Sequence, residues 1–225
     1  MQNVQVNSLR IRDMVKAFEI ASGLSEPLAE SYMQWYAGLV QHLATWSRTC
    51  ATPPIIGISG CQGSGKSTLA TLMTQTMCQV NGVSAVALSL DDFYLTKDAR
   101  RQLGVDIHPL LTTRGVPGTH DVPLLLKTIE QLRAGSEGVP LPVFDKASDD
   151  RAAIQHWRTN DVGAELIFLE GWCVGLSPQP TARLQPPVND LEREQDADLA
   201  WRQSINAQLS GPYATLFSEL DALLF

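Results

Sequence analysis

The segment 60–67, with the sequence Gly-Cys-Gln-Gly-Ser-Gly-Lys-Ser, constrains the chain more than any other stretch. It matches the pattern G-x-x-x-x-G-K-S/T of a phosphate-binding loop, or P-loop. A loop that wraps nucleotide phosphates points successive backbone N–H groups inward, and only glycine tolerates the backbone angles and the close approach that this requires. Lys66 can then reach the outer phosphates, and the Ser67 hydroxyl can bind the magnesium ion that accompanies them.

The sequence around the motif predicts the elements that a P-loop needs. Residues 55–59 form an apolar run typical of a buried strand, and residues 68–80 are typical of a helix that Asn81 and Gly82 end. The N-terminal end of that helix adds positive charge at the phosphates. We therefore predict nucleotide binding by Gly60, Cys61, Gln62, Gly63, Ser64, Gly65, Lys66, Ser67 and Thr68.

The composition limits the class of protein. The 225 residues are 44% hydrophobic and 18% charged, which suits one α/β domain with a helical attachment. We find neither an apolar run of membrane-spanning length nor a signal-peptide layout. The formal charge of −7 argues against nucleic acid as a partner. The four cysteines lack metal-ligand spacing, so we expect them to be reduced in a cytoplasmic protein.

Two regions are predicted along the chain. Residues 1–50 are expected to form a helical extension packed on the core. Within it, Ser25-Glu26-Pro27 is typical of a helix start, and the helix that follows carries large side chains at helical spacing: Leu28, Tyr32, Trp35, Leu39, Leu43 and Trp46. Residues 51–225 are expected to form the domain that carries the P-loop. Further strands are predicted at residues 83–90, 165–171 and 221–225. A short helix closed by a glycine is predicted at 96–104, and a helix capped by an aspartate at 121–134. Residues 104–120 are expected to form a functional loop, and residues 136–160 an irregular stretch.

Acidic residues follow two of the predicted strands, where ligands bind in open parallel sheets. Asp91 and Asp92 follow residues 83–90, and Glu170 lies at the end of the strand at 165–171. Phosphoryl transfer needs charge neutralisation and a carboxylate that takes the proton of the acceptor. Asp91 is our candidate for this base, and Glu170 is our candidate ligand of a metal ion or its water. A solvated turn at Asp91, and a helix cap or buried ion pair at Glu170, remain alternatives.

A series of segments carries a family resemblance over about residues 55–225. The segments are 57–68, 89–96, 114–121 (Arg-Gly-Val-Pro-Gly-Thr-His-Asp), 144–146 and 170–175 (Glu-Gly-Trp-Cys-Val-Gly). In this order they resemble the D-glycerate 3-kinase family, a branch of the P-loop kinases that also contain uridine kinase, pantothenate kinase and phosphoribulokinase.

The resemblance implies the fold and the activity. It implies a P-loop kinase fold of the α/β class, with a mostly parallel central sheet flanked by helices. It also implies ATP as donor, Mg²⁺ as cofactor and D-glycerate as acceptor, with 3-phosphoglycerate as product. Family members continue past a strand like the one at residues 221–225, so we expect the kinase domain to be C-terminally incomplete.

The predicted acceptor site follows from the chemistry of glycerate. A carboxylate is best held by a guanidinium, and hydroxyls by small polar groups. We predict substrate binding by Asp92, Tyr94, Arg114, His120 and Lys146. A surface position for Arg114 and a loop-stabilising role for His120 remain alternatives. Lys146 can neutralise charge on the moving phosphoryl group, or pair with Asp145 or Asp149.

Other functions are compatible with the same residues. The acceptor can be pantothenate, a nucleoside or another small hydroxy acid. The chain can also be a P-loop regulator that hydrolyses nucleotide without an acceptor, or an inactive nucleotide-binding relative. The N/T-K-x-D segment of guanine-specific switches is absent from the sequence, which disfavours a GTP switch. The sequence leaves the oligomeric state open.

Overall fold

A computed structural model describes residues 2–23 and 30–225 of the chain. Its helices are α1 (Gln2–Ser22), α2 (Glu30–Ser47), α3 (Lys66–Thr76), α4 (Lys97–Asp106), α5 (Val122–Arg133), α6 (Thr181–Leu184), α7 (Asp190–Gln195), α8 (Ala200–Ser210) and α9 (Pro212–Ser218). Its strands are β1 (Ile55–Ser59), β2 (Ala85–Ser89), β3 (Val139–Leu141), β4 (Phe144–Asp145), β5 (Asp150–Arg151), β6 (Arg158–Asn160), β7 (Leu166–Gly171) and β8 (Ala222–Leu224).

The centre of the fold is a parallel sheet with the strand order β2-β7-β1-β8. Every residue of β1 and β7 is buried, which is typical of parallel strands covered by helices on both faces. The strands predicted at residues 55–59, 83–90, 165–171 and 221–225 are confirmed to within a few residues. The loops that follow β1, β2 and β7 therefore meet at one edge of the sheet.

Alternate side chains of the strands point into two apolar clusters, one on each face of the sheet. Ile55 and Ile167 face α5 and α9, whereas Ile56 and Phe168 face the N-terminal helices. On the latter face, α1, α2 and α3 contribute the buried side chains Ile11, Val15, Tyr36, Val40, Leu72 and Met73. The N-terminal helices thus complete the core on that side of the sheet.

The buried face of α2 differs from the prediction. Its buried residues are Met33, Tyr36, Ala37, Val40, Leu43, Ala44 and Ser47. Tyr32, Leu39 and Trp46 lie only at its margin, and Trp35 is 49% exposed, so the prediction that Trp35 packs on the core is wrong. The prediction followed the largest side chains rather than the centre of the helix face. Leu28 and the helix start at residues 25–27 lie outside the described residues.

Two further predictions are corrected between residues 96 and 160. The helix α4 begins after its cap, Thr96, but passes through Gly104 instead of ending there. A Cβ at Gly104 would lie 2.1 Å from Oγ1 of Thr112, so this glycine allows a close approach of the following turn. The stretch predicted as irregular contains two short antiparallel pairs, β3–β6 and β4–β5. Strands of two or three residues are too short to show an alternating pattern.

The start of α5 is confirmed, because Oδ1 of Asp121 accepts a hydrogen bond from the backbone N–H of Leu124 at 3.1 Å. In the part of the chain that the structure describes, no helix has both the length and the apolar character needed to cross a bilayer. The fold thus brings the P-loop, Asp91 and Glu170 to one edge of the sheet, and helices cover both faces of that sheet.

Candidate active site

The P-loop connects β1 to α3 in a backbone conformation that needs glycine. Gly63 and Gly65 have φ angles of 79° and 86°, in the left-handed region that side chains disfavour. A Cβ at Gly60 would lie 2.7 Å from Oγ of Ser64. The helix α3 begins directly at Lys66. The loop therefore has the curvature and the helix start that a phosphate cradle requires.

The side chains of the loop face solvent. Cys61, Gln62, Ser64, Ser67 and Thr68 belong to exposed residues, and the Nζ atom of Lys66 donates to the backbone carbonyl of Cys61 at 3.4 Å. The lysine thus folds back over the mouth of the loop. All nine residues predicted to bind nucleotide remain accessible to a ligand at this edge.

Three oxygen atoms from different elements meet beside the P-loop. Glu170, at the end of β7, is 4% exposed. Its Oε1 atom accepts hydrogen bonds from Oγ of Ser67 at 2.9 Å and from Oγ of Ser89 at 2.6 Å. Hydroxyl and carboxylate oxygens are the ligands that Mg²⁺ prefers, so this donor set fits the ion. The sequence prediction named Ser67 and Glu170 but missed Ser89, which the end of β2 carries to the same point.

Asp91 lies in the turn that follows β2. Its Oδ2 atom is 3.1 Å from Nζ of Lys146, which donates a hydrogen bond to it. Burial, reinforced by the charge of Asp91, raises the pKa of the nearby Tyr94, whose hydroxyl is therefore neutral. Lys146 therefore pairs with Asp91, and not with Asp145 or Asp149 as the sequence also allowed. The structure brings the predicted base and the predicted lysine together.

Asp92 has a structural role that the sequence prediction did not include. Its Oδ1 atom accepts from the backbone N–H of Phe144 at 3.2 Å, and its Oδ2 atom accepts from Nη2 of Arg158 at 3.1 Å. Burial raises the pKa of this carboxyl. Asp91 and Asp92 lie in a 3₁₀ turn, where successive side chains point about 120° apart. The Asp91 carboxylate therefore faces the site, while the Asp92 carboxylate anchors β4 and β6.

Arg114 is held in place by a carboxylate and an aromatic ring. Its guanidinium forms an ion pair with Asp149 and lies 5.3 Å from the ring centroid of Phe144. The same carboxylate accepts from the fully buried Arg100 at 2.7 Å. Asp149 adopts a φ of 56°, an uncommon angle outside glycine. Sequence reasoning missed Asp149 as the partner of both arginines, because it lies 35 and 49 residues away from them.

His120 is a buried, neutral donor. Its ring stacks on Tyr94, with centroids 4.3 Å apart. Its Nδ1 atom is 2.5 Å from the hydroxyl of Tyr213, whose oxygen also accepts from the N–H of Gly118 at 3.1 Å. Because the Tyr213 oxygen already accepts from Gly118, we assign its hydroxyl proton to the bond with Nδ1, and the ring proton of the neutral imidazole is then assigned to Nε2. Burial lowers the pKa of His120 to about 3.

The Nε2 atom of His120 has no hydrogen-bond partner among the described residues. A buried N–H group without a partner is costly, so it favours the approach of a hydrogen-bond acceptor. Sequence reasoning found His120 but missed Tyr213, which fixes its tautomer from α9.

The sequence is similar to those of known kinases. The family model described as "Phosphoribulokinase / Uridine kinase family" matches residues 55–179. The uncharacterized kinase mug58 of Schizosaccharomyces pombe is 35% identical over 181 residues, which cover 76% of this chain and 64% of that protein. A pantothenate kinase of Bacillus velezensis is 31% identical over 130 residues, which cover 56% of this chain and 38% of that protein.

A solved structure shares the fold. D-glycerate 3-kinase from Cryptococcus neoformans var. grubii superposes with a TM-score of 0.67 and 25% sequence identity, over 87% of this chain and 72% of that one. The chain spans less than two thirds of the length of the curated relatives reported above. Since the family model covers more than half of the chain, the chain has the P-loop kinase fold and belongs to the phosphoribulokinase/uridine kinase family.

Proposed function

We propose that this protein transfers the γ-phosphoryl group of ATP to a hydroxyl of D-glycerate, giving 3-phosphoglycerate. The observation that carries the proposal is the position of Asp91, which lies at the sheet edge of the P-loop, 3.1 Å from a lysine ammonium. The likeness to a solved D-glycerate 3-kinase supports the choice of acceptor. Arg114 and His120 add the donors that a hydroxy acid needs.

The nucleotide and its metal ion have suitable partners in the chain. The phosphates would bind to the backbone N–H groups of the P-loop, to Lys66 and to the N-terminal end of α3. Ser67 and Glu170 would hold Mg²⁺, with Ser89 orienting the carboxylate. When bound, Mg²⁺ neutralises part of the phosphate charge. The chain itself supplies positioning, because the loop is fixed between a buried strand and a helix.

Asp91 acts as the base in the transfer step. It accepts the proton of the acceptor hydroxyl while the hydroxyl oxygen forms a bond to the γ-phosphorus. The bond between this phosphorus and the bridging β–γ oxygen breaks, and ADP leaves with the bonding electrons. Lys146 orients the Asp91 carboxylate through its ion pair with Oδ2. Lys146 also supplies positive charge near the group that moves.

The acceptor is held by two donors that differ in chemistry. Arg114 grips the glycerate carboxylate with its guanidinium, which Asp149 and Phe144 hold in place. His120 donates its free Nε2–H to a hydroxyl oxygen. Because Tyr94 covers the ring of His120, it forms a wall of the same site. Both oxygens of Asp92 already accept hydrogen bonds from β4 and β6, so we assign this residue to anchoring those strands rather than to the acceptor.

A second candidate function keeps the same transfer step but uses another small acceptor. The match to a pantothenate kinase favours this alternative, since pantothenate also carries a carboxylate and hydroxyls. Hydrolysis without an acceptor is a third candidate, because the P-loop residues alone suffice to bind nucleotide. The three candidates differ in whether ADP release needs an acceptor, and in which one.

A coupled assay of ADP release tests the proposal. Wild-type protein with MgATP is supplied with D-glycerate, L-glycerate, pantothenate, uridine or no acceptor, and we expect release to depend on D-glycerate. Replacing the base in Asp91→Asn is expected to lower kcat by about 10²- to 10⁴-fold without weakening ATP binding. The matched control Asp98→Asn changes an exposed aspartate of α4 and keeps wild-type activity.

Other outcomes of this assay contradict the proposal in separate ways. If ADP is released faster with pantothenate or uridine than with D-glycerate, that compound is the acceptor and D-glycerate is not. Equal release without any acceptor identifies a hydrolase. An unchanged rate in Asp91→Asn removes Asp91 as the base.

A further inference from the structure

A groove of about 600 Å³ opens beside the P-loop, on the side of the N-terminal helices. One wall is formed by the P-loop and the first turns of α3, and the other by aromatic side chains of α1 and α2. The residues that matter here are Phe18, Tyr32, Trp35, Thr68, Leu69 and Leu224. The volume lies within the range of about 300–1,000 Å³ that is typical of small-molecule sites.

Trp35 presents a supported aromatic surface in this groove. The residue is 49% exposed and stands apart from the core that α2 otherwise joins. Its ring lies 5.7 Å from that of Tyr32 at an angle of 45°. Tyr32 in turn stacks on the fully buried Tyr36, with ring centroids 6.2 Å apart. An exposed indole backed by further rings is a rigid surface for a flat apolar ligand.

The sheet order assigns opposite sides of the P-loop to different parts of a nucleotide. Asp91 follows β2, which lies on one side of β1, whereas the groove contacts β8, which lies on the other side. A triphosphate whose terminal group faces Asp91 therefore extends its nucleoside end towards β8. The groove shares Gly60, Lys66 and Thr68 with the loop, so this end enters it directly.

We propose that the groove binds the purine base of the donor nucleotide, stacked on Trp35. Stacking on an aromatic ring suits a base because every base has a π face. Phe18 and Leu69 would cover the remaining apolar surface of the base. The proposal rests on the nucleotide site of the proposed function, but not on the identity of the acceptor. In this proposal, α1 and α2 contact the nucleotide base in addition to completing the core.

Binding measurements with and without a base test this proposal. Calorimetry compares MgATP with magnesium tripolyphosphate, which has the phosphates but no nucleoside, in the absence of any acceptor. We expect Trp35→Ala to weaken MgATP binding by roughly 5- to 100-fold and to leave tripolyphosphate binding unchanged. Trp35→Phe, which keeps an aromatic ring, retains most of the affinity. The control Ile20→Ala removes a side chain of α1 that is 83% exposed and behaves as wild type.

Fluorescence gives a second measurement that does not depend on the alanine variant. Trp35 is one of five tryptophans, and a base stacked on its indole quenches its emission. We expect MgATP to quench the wild-type protein and to have little effect on Trp35→Phe.

Several results would overturn the proposal. They are an unchanged affinity for MgATP in Trp35→Ala, an equal loss of affinity for both ligands, equal affinity of the wild-type protein for both ligands, quenching that persists in Trp35→Phe, or no binding of MgATP at all. In contrast, Trp35-dependent binding of MgATP without formation of 3-phosphoglycerate would overturn the proposed function and leave the base site standing.

Discussion

Buried His120 makes the stability of the protein depend on pH. Burial lowers its pKa from 6.5 to about 3. Between these values the unfolded chain takes up a proton that the folded chain does not, so the free energy of unfolding rises as pH increases from about 3 to 6.5. At pH 5 this residue alone costs about 2 kcal/mol of stability relative to neutral pH.

Urea unfolding at pH 5.0 and pH 7.5 checks this expectation. His120→Gln lacks the titrating ring, so its two unfolding free energies are expected to differ by about 2 kcal/mol less than those of the wild-type protein. His156→Gln changes an exposed histidine and keeps the wild-type difference. A pH dependence in His120→Gln equal to that of the wild-type protein would show that His120 is protonated in the folded state.

The site was predictable from sequence at residues whose role depends on local spacing. Lys66 and Ser67 follow from one motif, and Asp91 and Glu170 from their places at strand ends. Ser89, Asp149 and Tyr213 were missed, because their roles depend on contacts with residues 35 to 93 positions away. A sequence shows which side chains end a strand, but not which distant side chain orients them.

At the scale of elements, glycines permit close contacts between the sheet and its loops. A Cβ at Gly171, the last residue of β7, would lie 2.8 Å from Cβ of Leu90 and 3.1 Å from Cγ2 of Val174. Both neighbours belong to the buried core. The Gly171→Ala variant is therefore expected to lose about 1–3 kcal/mol of unfolding free energy through overpacking, as measured by chemical denaturation.

Gly38 provides the matched control, because a Cβ added there meets no atom within 4 Å. It lies inside α2 and is exposed, so Gly38→Ala is expected to gain about 0.5–1 kcal/mol from the better helix propensity of alanine. Equal effects of the two substitutions would contradict the packing of Gly171 against Leu90.

Predictions for whole elements succeeded where a continuous apolar run marks a fully buried strand. The strands β1 and β7 were predicted almost to the residue, because both are buried on both faces. The α2 face was misplaced, since the large side chains Tyr32 and Trp35 lie beside the true centre at Tyr36 and Val40. Hydrophobic size alone does not show which aromatic side chain remains exposed.

At the scale of the whole molecule, the N-terminal helices and the sheet form one core. Val15 of α1 is fully buried in the cluster that contains Ile56 and Phe168. A shared core predicts one cooperative unfolding transition. We therefore expect Val15→Ala to lower the stability of the entire protein by about 1.5–3 kcal/mol, and not only that of α1.

Thermal unfolding followed by two probes tests this cooperativity. Far-UV circular dichroism reports on all helices, and tryptophan fluorescence reports mostly on residues outside α1, which contains no tryptophan. Both midpoints are expected to fall together in Val15→Ala and to stay unchanged in Leu9→Ala, whose side chain on the same helix is 62% exposed. An early loss of helix signal with an unchanged fluorescence midpoint would show that α1 unfolds separately. In that case the groove beside the P-loop would lose Phe18 from one wall, and Tyr32 and Trp35 of α2 would remain.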